Sequence, residues 1–284
     1  MRRLLGYRRG IRETPSASDE PLDPNTIPNL RHWFDASDAA TITLGLNGVQ
    51  DWADKATGST DKMTTNGVAT NEPSYITNGW NGLNYIDFNQ ATDQVLTMRD
   101  AASALLLLGS SFGAGNYSYT LVAVTESGAP NATFTDPNFW SGSGVLNARG
   151  YWGFMQNGAA SPFDTYAAAY SQGPLAAYVK KTGIASGGKA IQIMSFTDPG
   201  VSPATADMTF RYNRAAVGSV SKQRIWAAFL TNSAYGIRAG QGGPGAGARL
   251  YTGKLAEWML WQRELNASEM ASVEAYLQAK WGTP

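Results

Sequence analysis

Glu257 is the residue here with the clearest call on chemistry, because it is the lone acid in the apolar run Lys254 to Trp261. An acid so placed is either a buried structural acceptor or a general acid whose pKa burial has raised. Arg263 lies just beyond the run as a pairing partner, and the structural reading is the stronger. Glycoside hydrolysis would need a second carboxylate facing the same cleft, and that run holds none. A nucleophilic triad needs a base. The sequence has one histidine, His32, inside a segment that reads as a strand, where it is expected to be packed or at the surface. There is no cysteine, which excludes disulfides, thiolate metal sites and cysteine nucleophiles. Asp35 and Asp38 flank Ser37 in a cluster that can bond its own backbone. Without the Gly and closing Glu of a calcium loop, that cluster reads as a turn rather than a cation site. No catalytic residue, metal ligand or cofactor is expected.

Two other groups of residues could bind. Sugars stack on exposed aromatic faces, and Trp80, Trp140, Tyr151 and Trp152 lie beside Gly-, Asn- and Ser-rich turns that could present them. Core or interface packing is the commoner fate of such residues, and both readings stay open. Residues 1 to 24 are compositionally separate: Arg2, Arg3, Arg8, Arg9 and Arg12 precede Glu13, Asp19, Glu20 and Asp23, with prolines between. Such a segment cannot bury a core of its own. It is a disordered tail or an arm that orders on a partner, in which Arg2, Arg3, Arg8 and Arg9 would pair with acceptors while Leu4, Leu5, Tyr7 and Ile11 anchor between them. The Gly-rich stretch 240–247 lacks the Lys-Ser/Thr of a phosphate loop.

The elements that must position these residues are mostly strands. Across 284 residues, 31 Gly and 13 Pro demand many turns, while 43 % hydrophobic residues suffice for a sizeable core. Lys254 to Trp261 alternates Leu255, Met259 and Trp261 with Ala256, Trp258 and Leu260, so the strand is expected to be buried on both faces. Asn266 with Glu269 can cap a following helix, whose apolar stripe Met270, Val273, Leu277 and Trp281 ends at Gly282. Tyr117 to Val124, Leu175 to Val179, Ala190 to Phe196, Met208 to Tyr212, Ala215 to Val217 and Arg224 to Leu230 read as short strands. A hairpin is expected within Phe139 to Gln156, and a short helix within Gln94 to Leu108. Lys plus Arg and Asp plus Glu are 22 each, so no net field gathers nucleic acid or an anionic membrane. No secretory leader or bilayer-length apolar run is evident.

Both ends of the chain carry a resemblance. Leu30, Trp33, Asp35, Ala36, Ser37, Asp38, Thr41 and Ile42, then Val49, Trp52, Asp54 and Lys55, match the opening of the concanavalin A-like (laminin G-like) jelly rolls of phage and bacterial surface proteins. Gly253, Leu255, Ala256, Glu257, Trp261, Arg263, Leu265, Glu269, Tyr276, Leu277, Lys280, Trp281 and Gly282 match its closing strand and helix. The resemblance implies an all-β fold, a two-sheet antiparallel jelly-roll sandwich over residues 25–284 with an extended N-terminal arm, 1–24, and a C-terminal helix. Glucanases of that superfamily carry E-x-D-x-x-E on one strand, and this sequence has no such stretch. The resemblance implies a non-enzymatic phage virion structural protein, a capsid or tail decoration made in the host cytoplasm and docked on other virion proteins through the arm. The alternative is a carbohydrate-binding adhesin module contacting a glycan. Self-association into a homo-oligomer stays open; nucleic acid and membrane are not expected partners.

Overall fold

The computed structural model describes residues 21–89, 92, 94–106, 118–128, 140–141, 152–157, 163–169, 177–197, 205–223, 237–240 and 251–284. The N-terminal residues Arg2, Arg3, Leu4, Leu5, Tyr7, Arg8, Arg9 and Ile11 lie outside this set, as do Tyr151 and the expected strand at Arg224 to Leu230.

In chain order the strands are β1 (Leu30–Asp35), β2 (Ile42–Leu44), β3 (Val49–Ala53), β4 (Lys62–Thr64), β5 (Ser74–Trp80), β6 (Leu83–Phe88), β7 (Leu96–Arg99), β8 (Tyr119–Ser127) and β9 (Trp140–Ser141). They continue as β10 (Trp152–Asn157), β11 (Phe163–Ala169), β12 (Ala177–Ile184), β13 (Lys189–Thr197), β14 (Thr205–Tyr212), β15 (Ala215–Gln223), β16 (Arg238–Ala239) and β17 (Gly253–Trp261). Among the described residues one α-helix, α1 (Ala267–Trp281), follows. The larger sheet runs β15-β14-β13-β8-β17-β6-β5, with β1 also on β17; a second runs β2-β3-β4-β7-β16-β9; and β10-β11-β12 form a third. Every pairing is antiparallel. The molecule is an antiparallel β-sandwich of the jelly-roll type closed by a C-terminal helix, as the sequence leads one to expect.

β17 is the axis of the larger sheet. One edge pairs with β8 along its length, and the other pairs first with β6 and then with β1, so the two ends of the chain meet on one strand. Leu255, Trp258 and Leu260 face the core between sheets with Phe34, Trp52, Met63, Phe88 and Met98. Ala256, Met259 and Trp261 face the opposite side, where Val273, Leu277 and Trp281 of α1 cover them. Burial on both faces is the expected result, but the division of residues differs from simple alternation. A β-bulge between Leu255 and Glu257 inserts one extra residue against β8 and moves Leu255 to the other face.

The helix begins where its caps demand. Asn266 Oδ1 accepts from the backbone N–H of Ser268 (2.9 Å) and Glu269 (3.0 Å), while Glu269 reaches back to the Asn266 N–H (2.9 Å). Gly282 ends the helix in the left-handed region, φ 60°. The short helix expected between Gln94 and Leu108 is replaced, within the described part, by β7 and a turn. Leu96 and Met98 are buried in alternation, and that gain outweighs the helix preference of the alanines that follow. Among the described residues, the two strands that fall within the hairpin expected at Phe139 to Gln156 pair with other partners, β9 with β16 and β10 with β11. No helix among the described residues is long and apolar enough to cross a membrane.

Candidate functional site

Three groups of polar residues come together, and their geometry separates structural work from binding. The first lies under α1. Glu257 is fully buried and accepts from Trp33 Nε1 (2.7 Å), Trp281 Nε1 (2.7 Å), Tyr276 Oη (2.9 Å) and Lys280 Nζ (2.9 Å). Lys280 also reaches Asp35 Oδ1 at 2.8 Å, and Lys55 bridges Asp35 and Asp38, both at 2.9 Å. The expected partner of Glu257 is thereby corrected. Arg263 is held by Glu269 in a two-pronged pair at 2.7 Å, and Glu257 shares the face of β17 on which Met259 and Trp261 meet the helix. All three carboxylates of this network are paired within the protein, so it fastens β1 to α1.

The charges there shift in opposite directions. Burial pushes Asp35 up, but the Lys280 charge and hydrogen bonds from Lys280, Ser37 and Lys55 outweigh it and hold the carboxyl below its ordinary value. Burial dominates at Glu257 and raises it, against the pull of Lys280. The unfolded chain therefore takes up the Asp35 proton first. Its contribution to stability is complete above about pH 4 and is lost as the pH falls through the folded value. Glu257 runs the other way, contributing most below its unfolded value and less as the pH rises through its raised folded value. Asp35→Asn should flatten the loss of stability below about pH 4, read from denaturant midpoints across the acid range. An unchanged acid limb would show that Asp35 is not held by these cations.

The second group surrounds the histidine. His32 is buried, with Nδ1 2.7 Å from Asp54 Oδ2 and 3.7 Å from Asp61 Oδ2. These three side chains have ligand atoms within 4.8 Å of one another, a spacing that a metal ion could use. The donors already present speak for structure. Asp54 also accepts from the N–H of Trp33 (2.8 Å) and Ala56 (2.9 Å) and from Ser59 Oγ (2.8 Å), and Arg31 approaches Asp61 at 3.4 Å. The cluster pins the loop between β3 and β4.

The third group is an open cleft of about 440 Å³ lined by Asn47, Thr70, Asn71, Glu72, Thr92 and Gln94, with Ala69. Its walls are the β2–β3 turn and the connections β4–β5 and β6–β7, the last two passing between the sheets. Glu72 holds this end together, since Oε2 accepts from the backbone N–H of Asn47 (2.5 Å) and Gly48 (2.9 Å). The turn must carry glycine at Gly45 and Gly48, where a Cβ would collide with the Glu72 carboxylate and the Pro73 carbonyl. Asn47 Nδ2 donates to Ala69 O (3.0 Å), and Val95 N to Asn71 O (3.0 Å). Gln94 Oε1 accepts from Asn89 N (2.7 Å), which leaves its amide N–H groups uncommitted. The Asn71 amide and the Thr70 hydroxyl are likewise unspent among the described residues. Beside these lining residues, Leu44, Leu46 and Val68 stand as exposed large hydrophobics.

This cleft is not where the sequence pointed. Trp80 is only 2 % exposed, packed edge-on against Trp281 at 5.9 Å, so it offers no face to a sugar. Trp140 and Trp152 sit on strands of different sheets. Asn47, Asn71 and Gln94 escaped notice because each, taken alone, is an ordinary turn residue. The Gly-Leu-Asn-Gly turn of residues 45–48 and the Asn71-Glu72-Pro73 segment were visible as turns but not as neighbours.

The architecture is that of an antiparallel β-sandwich of the jelly-roll type, with a concave polar cleft where two connections cross between its sheets. No family model and no curated protein matches the chain. Among solved structures, the binding domain of botulinum neurotoxin serotype G is similar at a TM-score of 0.55 and 12 % identity, over 90 % of this chain and 54 % of that one. Trypanosoma rangeli sialidase in complex with a 2,3-difluoro-nononic acid is similar at a TM-score of 0.51 and 16 % identity, over 90 % of this chain and 34 % of that one. The chain thus spans about a third of the sialidase and about half of the toxin domain. At such identities the likeness is one of fold.

Proposed function

We propose that this protein is a non-catalytic glycan-binding β-sandwich module whose binding site is the Glu72 cleft. The observation that carries this is the cleft's lining, where the Asn71 amide, the Gln94 amide nitrogen and the Thr70 hydroxyl are unspent on a concave surface of about 440 Å³. A volume of roughly 300–1,000 Å³ suits a small ligand, and side-chain amides and hydroxyls match the mixed donors and acceptors of sugar hydroxyls. The fold is shared with a sialidase and with a toxin's binding domain, which supports the same reading. Asp35 and Glu257, the buried carboxylates brought together, are committed to Lys280 and line no part of this cleft, which supports binding without hydrolysis.

A glycan array probed with the whole chain tests the proposal, followed by the same array with Asn71→Ala and Gln94→Ala. Each variant should lose about tenfold in affinity, the equivalent of one good hydrogen bond, with little change in stability, because neither side chain packs in the core and the Asn89 N–H that Gln94→Ala releases is exposed to water. Retention of full binding by both variants would place the site elsewhere. Display on a phage virion through residues 1 to 24 is the setting that the sequence resemblance implies. Particles carrying the chain should then show the array pattern, and particles lacking it should not.

A further inference from the structure

The cleft selects on charge as well as on hydroxyl groups. A turn rich in glycine would ordinarily offer its backbone N–H groups to an anion. Here two of those groups, on Asn47 and Gly48, are already taken by the carboxylate of Glu72, which is 4 % exposed and built into the cleft wall. No lysine or arginine is among the described lining residues, and the remaining free groups are neutral amides and a hydroxyl. An incoming carboxylate would find no lysine or arginine among the described lining residues, no free pair of backbone N–H groups in the β2–β3 turn, and the Glu72 carboxylate beside it. Juxtaposed like charges with no compensating cation act as a barrier against the wrong partner.

We infer that the Glu72 cleft takes an uncharged, hydroxyl-rich glycan and discriminates against acidic sugars such as sialic or uronic acids. The inference rests on the glycan-binding reading above and sharpens it. It also separates this chain from its structural neighbour, the sialidase, whose ligand is named as an acid.

Surface plasmon resonance with the whole chain, using matched pairs of neutral oligosaccharides and their sialylated or uronic-acid counterparts, tests it. The neutral member of a bound pair should bind at least about tenfold more tightly, as expected from an uncompensated like charge. Thr70→Lys places a cation on an exposed lining position and should raise binding of the acidic member, narrowing that gap. Equal or tighter binding of the acidic member by the wild-type chain would overturn the inference while leaving a glycan module. Binding of neither member across the panel would overturn the glycan reading and this inference with it.

Discussion

Glu257→Ala should lower the free energy of unfolding by about 3–5 kcal/mol, the usual consequence of removing one partner from a buried ion pair. The expected loss is large because four donors converge on this carboxylate. Its removal strands the indole N–H of Trp33 and of Trp281 and the Tyr276 hydroxyl beneath α1, and leaves Lys280 with Asp35 and Tyr276 alone. A stranded buried donor costs about 1–3 kcal/mol, and the burial of Glu257 and of the two indoles keeps water from replacing the acceptor there. Glu257→Gln gives a useful comparison. It keeps the shape and one acceptor oxygen but turns an amide donor toward groups that are themselves donors, so it should also destabilise, by less than alanine does. A Glu257→Ala variant with the wild-type denaturant midpoint would show that the network contributes nothing to the fold.

Trp281→Ala should cost a similar amount, about 3–5 kcal/mol, for a different reason. The ring is completely buried against Trp80, and its N–H donates to Glu257 at 2.7 Å. Alanine leaves a cavity at the last turn of α1 that Gly282 and the chain end cannot fill. The loss is therefore mainly of transfer and packing energy, with the hydrogen bond as a smaller part. Trp281→Phe restores much of the apolar surface without the N–H donor, and should recover more than half of the loss. Because Glu257 and Trp281 are in contact, the double variant should cost less than the sum of the two single variants. If Trp281→Ala unfolds at the wild-type midpoint, the helix is an appendage and does not seal the sheet.

What could be read from the sequence follows from the range of the interactions that specify it. Helix α1 was legible to its caps because Asn266, Glu269 and Gly282 act within a few residues of one another. β17 was legible as a doubly buried strand, yet its bulge was not, because an extra residue opposite β8 depends on pairing with a segment more than a hundred residues away. That one residue changed the faces of Leu255 and Ala256. Trp33, Asp35, Lys55, Glu257, Tyr276, Lys280 and Trp281 all belong to the matched motifs at the two ends, and all meet in one network. The residues that carry the resemblance thus encode closure of the sandwich. None of the cleft's lining residues is among the positions that match those motifs. Its lining comes from three separate connections that only the strand order brings together, so no local spacing announced it. Trp80 misled for the opposite reason: Asn81 and Gly82 beside it do form a turn and Asn78 and Gly79 lie in an irregular stretch of β5, but the ring points into the packing under α1.

The most direct test of the account is a titration of the isotope-labelled whole chain with the neutral oligosaccharide that gives the strongest array signal, read from side-chain and backbone amide resonances. The account predicts that the side-chain amides of Asn71 and Gln94 and the backbone amide of Thr70 shift together and saturate with one affinity, while the buried Gln192 amide, held on Thr125 at 2.8 Å, stays still. Saturable shifts confined to residues outside the three connections that line the cleft would contradict it.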